Sequence, residues 1–301
     1  MRGTSLAAAA RRLIALGPDA FAGPRTDAFV AEVGGRHPGR ALFKRVSAEA
    51  IARTGLPGVC PSKTAEQVYE NFIWTQFVCK TLMAAAPDVS VEFARTRFGI
   101  AAAERALADG VPAILSAFHY TGYPLVALGL AKSSIAPLLS KAREDILDRS
   151  IDDPRDAVRM SSRSAAVRLT QELRGGRSVW VMVDVVLPSV RVMATRFLGH
   201  SLLVGAGMGK IAQLAGRPCV PLCWGPADQG LSVCVESAID PAGRSEEAFL
   251  QDFVNTQAPF VARQPEHWLE WYALLPDAPK LRAAMKKGND ELWEQLTPAL
   301  D

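Results

Sequence analysis

The chain has 301 residues, of which 49% are hydrophobic and 22% are charged, and its formal net charge is +3. This composition is typical of a folded globular protein and excludes a largely disordered chain. A nucleic-acid-binding protein usually has a larger basic surplus, so nucleic acid is not an expected partner. No run reaches the roughly 18 apolar residues needed to span a bilayer. The five cysteines lie mostly in apolar runs, which favours reduced thiols in the cytoplasm.

Several segments of the chain have a clear hydrophobic period. Residues 1–61 are rich in Gly and Pro and predict short helices and loops, whereas 62–86 has the apolar spacing of a helix. Apolar strands then alternate with helices that end at glycines, and 245–274 is helical again. Strands are predicted at 91–98, 111–118, 134–140, 178–185, 217–225 and 230–239, and helices at 99–110, 124–131, 164–176 and 205–216.

This alternation predicts an α/β fold. Its central sheet is mixed but largely parallel, is flanked by helices, and follows an N-terminal helical region. We divide the chain into an N-terminal helical and loop region (1–61), an α/β domain (62–280) and a C-terminal helical tail (281–301).

His119, one of four histidines, ends the predicted strand in ILSAFHYTGYPLVALGLA (114–131). Functional groups in α/β folds gather beyond the carboxyl ends of strands. Thr121 can cap the following helix, whose positive end would favour a neutral imidazole that accepts a proton. Backbone N–H groups near Thr121 and Gly122 could hold a developing oxyanion. The arrangement suits acyl transfer, and the alternative is a structural histidine satisfied by hydrogen bonds.

Four sequence blocks follow one another along the chain: SAFHYTGYP, LTQELRGGRSVWVMVDVV, TRFLGHSLLVGAGMGKIAQLAGRPCVPLCWG and ARQPEHWLEWYALLP. In this order they resemble the lysophospholipid acyltransferase superfamily, and most closely its bacterial lipid A (late) acyltransferase branch. The likeness covers roughly residues 62–280. It implies the α/β acyltransferase fold, an acyl-transfer activity, and His119 as the catalytic histidine.

The resemblance includes a departure at the histidine motif. The family motif is His, four residues, and then Asp or Glu, whose carboxylate hydrogen-bonds the histidine. Here that place is taken by Pro124, which cannot orient an imidazole. Three explanations stay open. Another carboxylate, for which Asp184 is our candidate, substitutes; the acceptor is a more reactive amine; or the protein has lost catalysis and kept a binding role.

The other assigned residues belong to substrate binding. Tyr123 and Tyr120 flank the turn after His119, and either hydroxyl could assist it. Arg191 and Arg196 are assigned to the acyl donor. The residues assigned to substrate binding are Thr121, Gly122, Tyr123, Arg163, Arg191, Arg196 and Gly205, the last of which allows a helix to pack closely at the site.

Arg163 lies where the resembling branch tends to place an arginine before its helix. With its neighbours it could form a basic face for a phosphopantetheine phosphate or an acidic carrier protein. The alternative is a solvated helix face paired with nearby aspartates. The neighbouring arginines are Arg143, Arg149, Arg155, Arg159 and Arg168.

The predicted activity is transfer of an acyl or aminoacyl group from a thioester to an amine or hydroxyl, with His119 as general base. The donor is a phosphopantetheine thioester on an acyl or peptidyl carrier protein, or acyl-CoA. The expected acceptor is a small molecule or a carrier-bound intermediate rather than a membrane lipid, since the membrane anchor normal in the resembling branch is not expected here. A lipid acceptor is the alternative. No cofactor is expected, and no metal, because Cys219 and Cys223 have no further ligands nearby.

The expected location is cytoplasmic, with peripheral contact at the inner face of the membrane left open. The alternative function is that of a catalytically degenerate protein of this fold, which binds a lipid or a carrier-linked acyl chain.

Overall fold

The computed structural model describes residues 6–16, 24–108, 110–133, 135, 137–141, 157–159, 164–185, 191–227 and 230–296. The described helices are α1 (Leu6–Ala15), α2 (Pro24–Arg36), α3 (Arg40–Thr54), α4 (Pro61–Ile73), α5 (Lys80–Ala85), α6 (Pro87–Arg97), α7 (Ile100–Ala108), α8 (Tyr123–Ala131), α9 (Ala165–Arg174), α10 (Gly207–Ala215), α11 (Glu246–Arg263) and α12 (Ala278–Leu296). The described strands are β1 (Ile114–Ala117), β2 (Leu138–Lys141), β3 (Ala157–Arg159), β4 (Val179–Met182), β5 (Val192–Phe197), β6 (His200–Gly205), β7 (Cys219–Ala227) and β8 (Gly230–Val235).

Six of the described strands form the central sheet, in the order β3-β2-β4-β1-β7-β8. The pairings from β3 to β7 are parallel, and β8 lies antiparallel at the edge. Helices flank the sheet, so the predicted α/β class with a largely parallel central sheet is confirmed. No described helix is long and apolar enough to cross a membrane.

The pairing of β1 with β4 sets the position of the site. The two strands are parallel, with Ala117 opposite Met182. Residues that follow neighbouring parallel strands emerge side by side at the carboxyl edge of the sheet. His119 lies just beyond β1 and Asp184 just beyond β4, so the topology brings together two residues that are 65 positions apart in the sequence.

The strand predicted at 91–98 is wrong, because most of this segment belongs to α6. Val91, Ala94 and Phe98 are buried, and their three- and four-residue spacing is that of one helix face. Pro87 stands in the first turn of the helix, where its missing N–H costs little. A window of eight residues was too short to distinguish this period from that of a strand.

The hairpin of β5 and β6 is not predicted by the strand and helix pattern. Its turn is formed by Leu198 and Gly199, with φ angles of 49° and 82°. Positive φ at both central residues is typical of a tight hairpin turn, but leucine is an unusual residue there. The Gly205 N–H donates to the carbonyl oxygen of Val183 at 2.8 Å, which docks the hairpin beside the end of β4.

The N-terminal and C-terminal helices pack against the rest of the chain. Helix α3 lies against α4, and α1 contacts α12. The buried hydrophobic cluster runs from Ala10 to Met285. The division into 1–61, 62–280 and 281–301 stays a prediction.

Candidate active site

His119 and Asp184 form a close pair at the carboxyl edge of the sheet. The His119 Nδ1 lies 2.6 Å from Asp184 Oδ1, and the His119 backbone N–H donates to Asp184 Oδ2 at 2.8 Å. The aspartate side chain is fully buried, whereas 16% of the histidine side chain is exposed. We call this pair the His119–Asp184 dyad. It is the contact that the first of the three explanations for Pro124 requires.

A third donor completes the surroundings of the carboxylate. The Trp268 Nε1–H donates to Asp184 Oδ2 at 3.0 Å. A buried carboxylate is costly unless it is hydrogen-bonded, and three N–H donors satisfy it here. Because Nδ1–H of the neutral imidazole points at Asp184, its lone pair is on Nε2, which is the atom that can accept a proton.

The pKa of His119 is raised from its ordinary value. Burial lowers this pKa, but the charge and hydrogen bond of Asp184 and the charge of Glu270 raise it more. The expectation that its surroundings favour a neutral ring is therefore wrong, because the charge and hydrogen bond of Asp184, together with the charge of Glu270, outweigh burial. A stronger base accepts a proton more readily, but it is neutral only at higher pH.

The turn between β1 and α8 uses its backbone N–H groups within the protein. The Thr121 N–H donates to the His267 carbonyl at 2.9 Å, and the Gly122 N–H donates to Thr75 Oγ1 at 3.0 Å. The prediction that these two groups are free to hold an oxyanion is therefore wrong. The cap prediction for Thr121 is also wrong, because its Oγ1 contacts His267 Nδ1 at 3.1 Å and Gly122 precedes the helix.

The two tyrosines of this turn point to different surroundings. The Tyr123 ring lies edge-on to the imidazole of His119, with ring centroids 4.7 Å apart. Tyr120 is buried, stacks on Trp224, and its hydroxyl donates to Gln257 Oε1 at 3.0 Å. Tyr123 is therefore the tyrosine whose ring contacts the base.

Residues 29–273 match the protein-family model described as bacterial lipid A biosynthesis acyltransferase. The chain belongs to this acyltransferase family. A solved structure, the 1-acyl-sn-glycerophosphate (LPA) acyltransferase PlsC from Thermotoga maritima, is similar over 79% of this chain and 95% of that one, with 13% sequence identity and a TM-score of 0.41. No curated protein matches the chain in sequence. The predicted superfamily, branch and enzyme class are confirmed.

Two of the predicted basic residues, Arg191 and Arg196, are exposed. Arg191 is 63% exposed and pairs with Glu246, so it is not the partner of Asp184. Arg196 is on the exposed side of β5, where its backbone bonds Gln251. Their part in donor binding stays a prediction. Arg163 lies outside the described residues, as do Arg143, Arg149 and Arg155.

Two residues of the segment after α11 act on the dyad, and the sequence alone indicates no role for either. Trp268 donates to Asp184, as described above, and Glu270 is a carboxyl whose charge acts on His119. The only sign of these two residues in the sequence is the block PEHWLEWYALLP. It resembles the family as a whole and does not single out either side chain. The Leu269 N–H donates to the His119 carbonyl at 3.0 Å, and this bond holds the segment beside the base.

The two cysteines considered as metal ligands are buried. Cys219 and Cys223 lie on β7, and burial raises the pKa of both thiols. Within the described ranges, no group of three or more His, Cys, Asp and Glu side chains could hold a metal ion.

Proposed function

We propose that this acyltransferase moves an acyl or aminoacyl group from a thioester to an amine or hydroxyl, with His119 as general base and Asp184 as the carboxylate that orients it. The observation that supports the proposal is the 2.6 Å contact between His119 Nδ1 and Asp184 Oδ1. It supplies from β4 the carboxylate that Pro124 does not supply.

The dyad suits the proton transfers of this reaction. His119 Nε2 accepts the proton of the acceptor as its nitrogen or oxygen attacks the thioester carbonyl. When the carbon–sulfur bond breaks, the imidazolium returns that proton to the leaving thiolate. Asp184 orients the ring and stabilises the imidazolium, as the carboxylate of a catalytic triad does.

The donor, partners and location belong to the proposal as well. We propose a phosphopantetheine thioester on an acyl or peptidyl carrier protein, or acyl-CoA, as the donor. The exposed side chain of Arg196, on strand β5 of the hairpin, is available to an anionic donor. We place the enzyme in the cytoplasm, with peripheral contact at the inner membrane face, and the five free cysteines are in keeping with a reducing compartment.

The alternative, a degenerate protein that binds acyl chains without transferring them, predicts an isolated imidazole. The contact with Asp184 instead lies within the 2.6 to 3.2 Å or so expected of a working base and its partner. This favours the enzyme.

The test compares the wild type with His119→Ala and Asp184→Asn. Acyl- and aminoacyl-thioesters on carrier protein and on CoA are offered with amines and alcohols, and transfer is followed by mass spectrometry. Removal of the base is expected to lower the rate at least about a hundredfold, and loss of the orienting acid by orders of magnitude.

His200→Ala is the matched control, because this partly exposed histidine bonds only the Arg53 carbonyl among its described contacts. It is expected to keep the wild-type rate. Equal rates in wild type and His119→Ala, or binding without turnover, would contradict the proposed function.

A further inference from the structure

We propose that Glu270 is a second proton acceptor at the reaction centre, which makes amines that arrive as ammonium ions the acceptor class of this enzyme. This inference rests on the proposed function and adds to it a substrate class and a residue.

The position of Glu270 follows from the backbone. Leu269 donates its N–H to the His119 carbonyl, and Trp268 pairs with Tyr120 in an isolated bridge. Glu270 is the next residue along, at the side of the dyad and directly before the 3₁₀ turn Trp271–Leu274.

The side chain of Glu270 has an oxygen without a partner. The residue is 9% exposed, and its Oε2 is buried with no hydrogen-bond partner among the residues that the structure describes. The carboxyl shares a hydrogen bond with the hydroxyl of Tyr272, which is also buried. Asp184, in contrast, accepts three hydrogen bonds. Of these two carboxyls, Glu270 is therefore the one with an oxygen that no described donor contacts.

The surroundings make this carboxyl a better proton acceptor than an exposed glutamate. Burial raises the pKa of Glu270, and the charge of Asp184 adds to this, while His119, Arg282 and the bond from Tyr272 oppose it. An ionised carboxylate in such a place needs a partner. An ammonium group that donates to Oε2 would supply one.

The chemistry of an amine acceptor requires two proton acceptors. An alkyl amine, with a pKa of about 10 like that of lysine, enters as R–NH₃⁺ and must lose one proton before its nitrogen can attack. The Glu270 carboxylate takes this first proton. The second goes to His119 as the carbon–nitrogen bond forms, and then to the thiolate as the carbon–sulfur bond breaks. Glu270 finally releases its proton to water. A hydroxyl acceptor has only one proton to lose.

The experiment measures kcat/KM of wild type and Glu270→Gln with three acceptors across pH: an alkyl amine, the alcohol of the same skeleton, and an aromatic amine that is uncharged at neutral pH. With the alkyl amine, the variant is expected to lose at least about tenfold at neutral pH, a small general-base effect. The loss should shrink as the pH approaches the pKa of the amine, because the acceptor then arrives neutral. The alcohol and the aromatic amine should react within about threefold of the wild-type rate.

Two further variants separate the role of Glu270 from a merely structural one. Glu266→Gln lies four residues earlier, its carboxyl is 3.8 Å from His267, and it should match the wild type with all three acceptors. Glu270→Asp keeps a carboxyl group and should retain more alkyl-amine transfer than Glu270→Gln.

Two outcomes would contradict the role of Glu270 without contradicting the proposed function. One is an equal loss with all three acceptors at every pH, which means that Glu270 only maintains the structure. The other is a wild type that uses alcohols but no amine, which leaves the proposed function standing. A wild type that transfers to no acceptor contradicts the proposed function itself.

Discussion

Asp184 contacts both the loop that carries His119 and the C-terminal segment that carries Trp268. Its Oδ1 faces the imidazole of His119, and its Oδ2 accepts from both the His119 backbone and the indole of Trp268. One carboxylate therefore orients the base, fixes the loop that carries it, and holds the C-terminal segment against both. An asparagine has one acceptor oxygen and cannot satisfy all three donors.

At the residue scale, His119 links folding to pH. Because its pKa in the folded state is raised, the protonated form is stabilised. The contribution is fully present below the ordinary pKa and is lost as the pH rises through the folded one. The free energy of unfolding lost in His119→Gln should therefore be greater at about pH 5.5 than at about pH 8.5, as measured by urea unfolding.

His37 is a control whose pKa shift, and therefore the pH dependence of its contribution to stability, has the opposite sign. Burial lowers its pKa, and its Nδ1 accepts the Gly39 N–H at 3.0 Å, a bond that protonation would break. Its contribution is present above the ordinary pKa and is lost as the pH falls below that value through the lowered folded pKa. The unfolding free energy lost in His37→Gln should be the smaller at low pH, so a pH dependence of the same sign in both variants would contradict the assignment.

At the element scale, the strand–turn–helix unit of β1 and α8 aims the base. Gly122 stands at the start of α8 with φ of +75°, and a Cβ there would lie 2.1 Å from Phe98 Cζ. The turn thus needs glycine both for its left-handed backbone and for the phenyl ring packed on it.

Gly122→Ala should therefore cost more stability than a left-handed glycine in open space. Gly216, with φ of +62° and nothing within 4 Å of its Cβ position, is the matched control. We expect Gly216→Ala to cost about 1 to 2 kcal/mol, and Gly122→Ala roughly 1 to 3 kcal/mol more because of overpacking. Urea unfolding measures both. Equal losses would mean that Phe98 moves aside without cost.

The element pattern also shows where sequence analysis succeeds. The apolar runs that became β1 and β4 are short strands, buried throughout in β1 and everywhere except Met182 in β4. Each begins shortly after a glycine, so the hydrophobic pattern and the glycine stop indicate the same start. The strand prediction for 91–98 failed because this segment is a helix packed against α5, α7 and α8, and those contacts are not visible in the local sequence. The hairpin turn at Leu198 was not predicted because its sequence lacks the Asn-Gly or Asp-Gly that marks such turns.

At the scale of the whole molecule, the N-terminal region and helix α12 meet at His37. The buried imidazole bonds Asn289 Oδ1 on α12 at 3.0 Å. Gly288 lies directly against the ring, since a Cβ there would be 2.8 Å from His37 Cε1. The regions that the sequence divides from the α/β domain on either side are therefore in contact with each other.

The substitution Gly288→Ala should show whether crowding against His37 outweighs the gain in helix propensity. Alanine in a helix is ordinarily favoured over glycine by about 0.5 to 1 kcal/mol, so Gly35→Ala on α2, with nothing within 4 Å, should be neutral or stabilising. Gly288→Ala should instead destabilise by roughly 1 to 3 kcal/mol through overpacking. Thermal and urea unfolding report the difference, and a stabilising Gly288→Ala would show that α12 does not press on His37.

The sequence by itself determined the layered α/β class, the strand ends at which His119 and Asp184 stand, and the order of blocks that marks the acyltransferase family. These depend on hydrophobic period, glycine stops and local motifs, which are properties of adjacent residues. The tertiary structure alone decided that β1 and β4 are neighbours, that the turn N–H groups are already bonded, and that Trp268 and Glu270 lie at the dyad. These depend on contacts between residues far apart in the chain, because the position of a side chain at a sheet edge is set by strand order and not by its sequence neighbours.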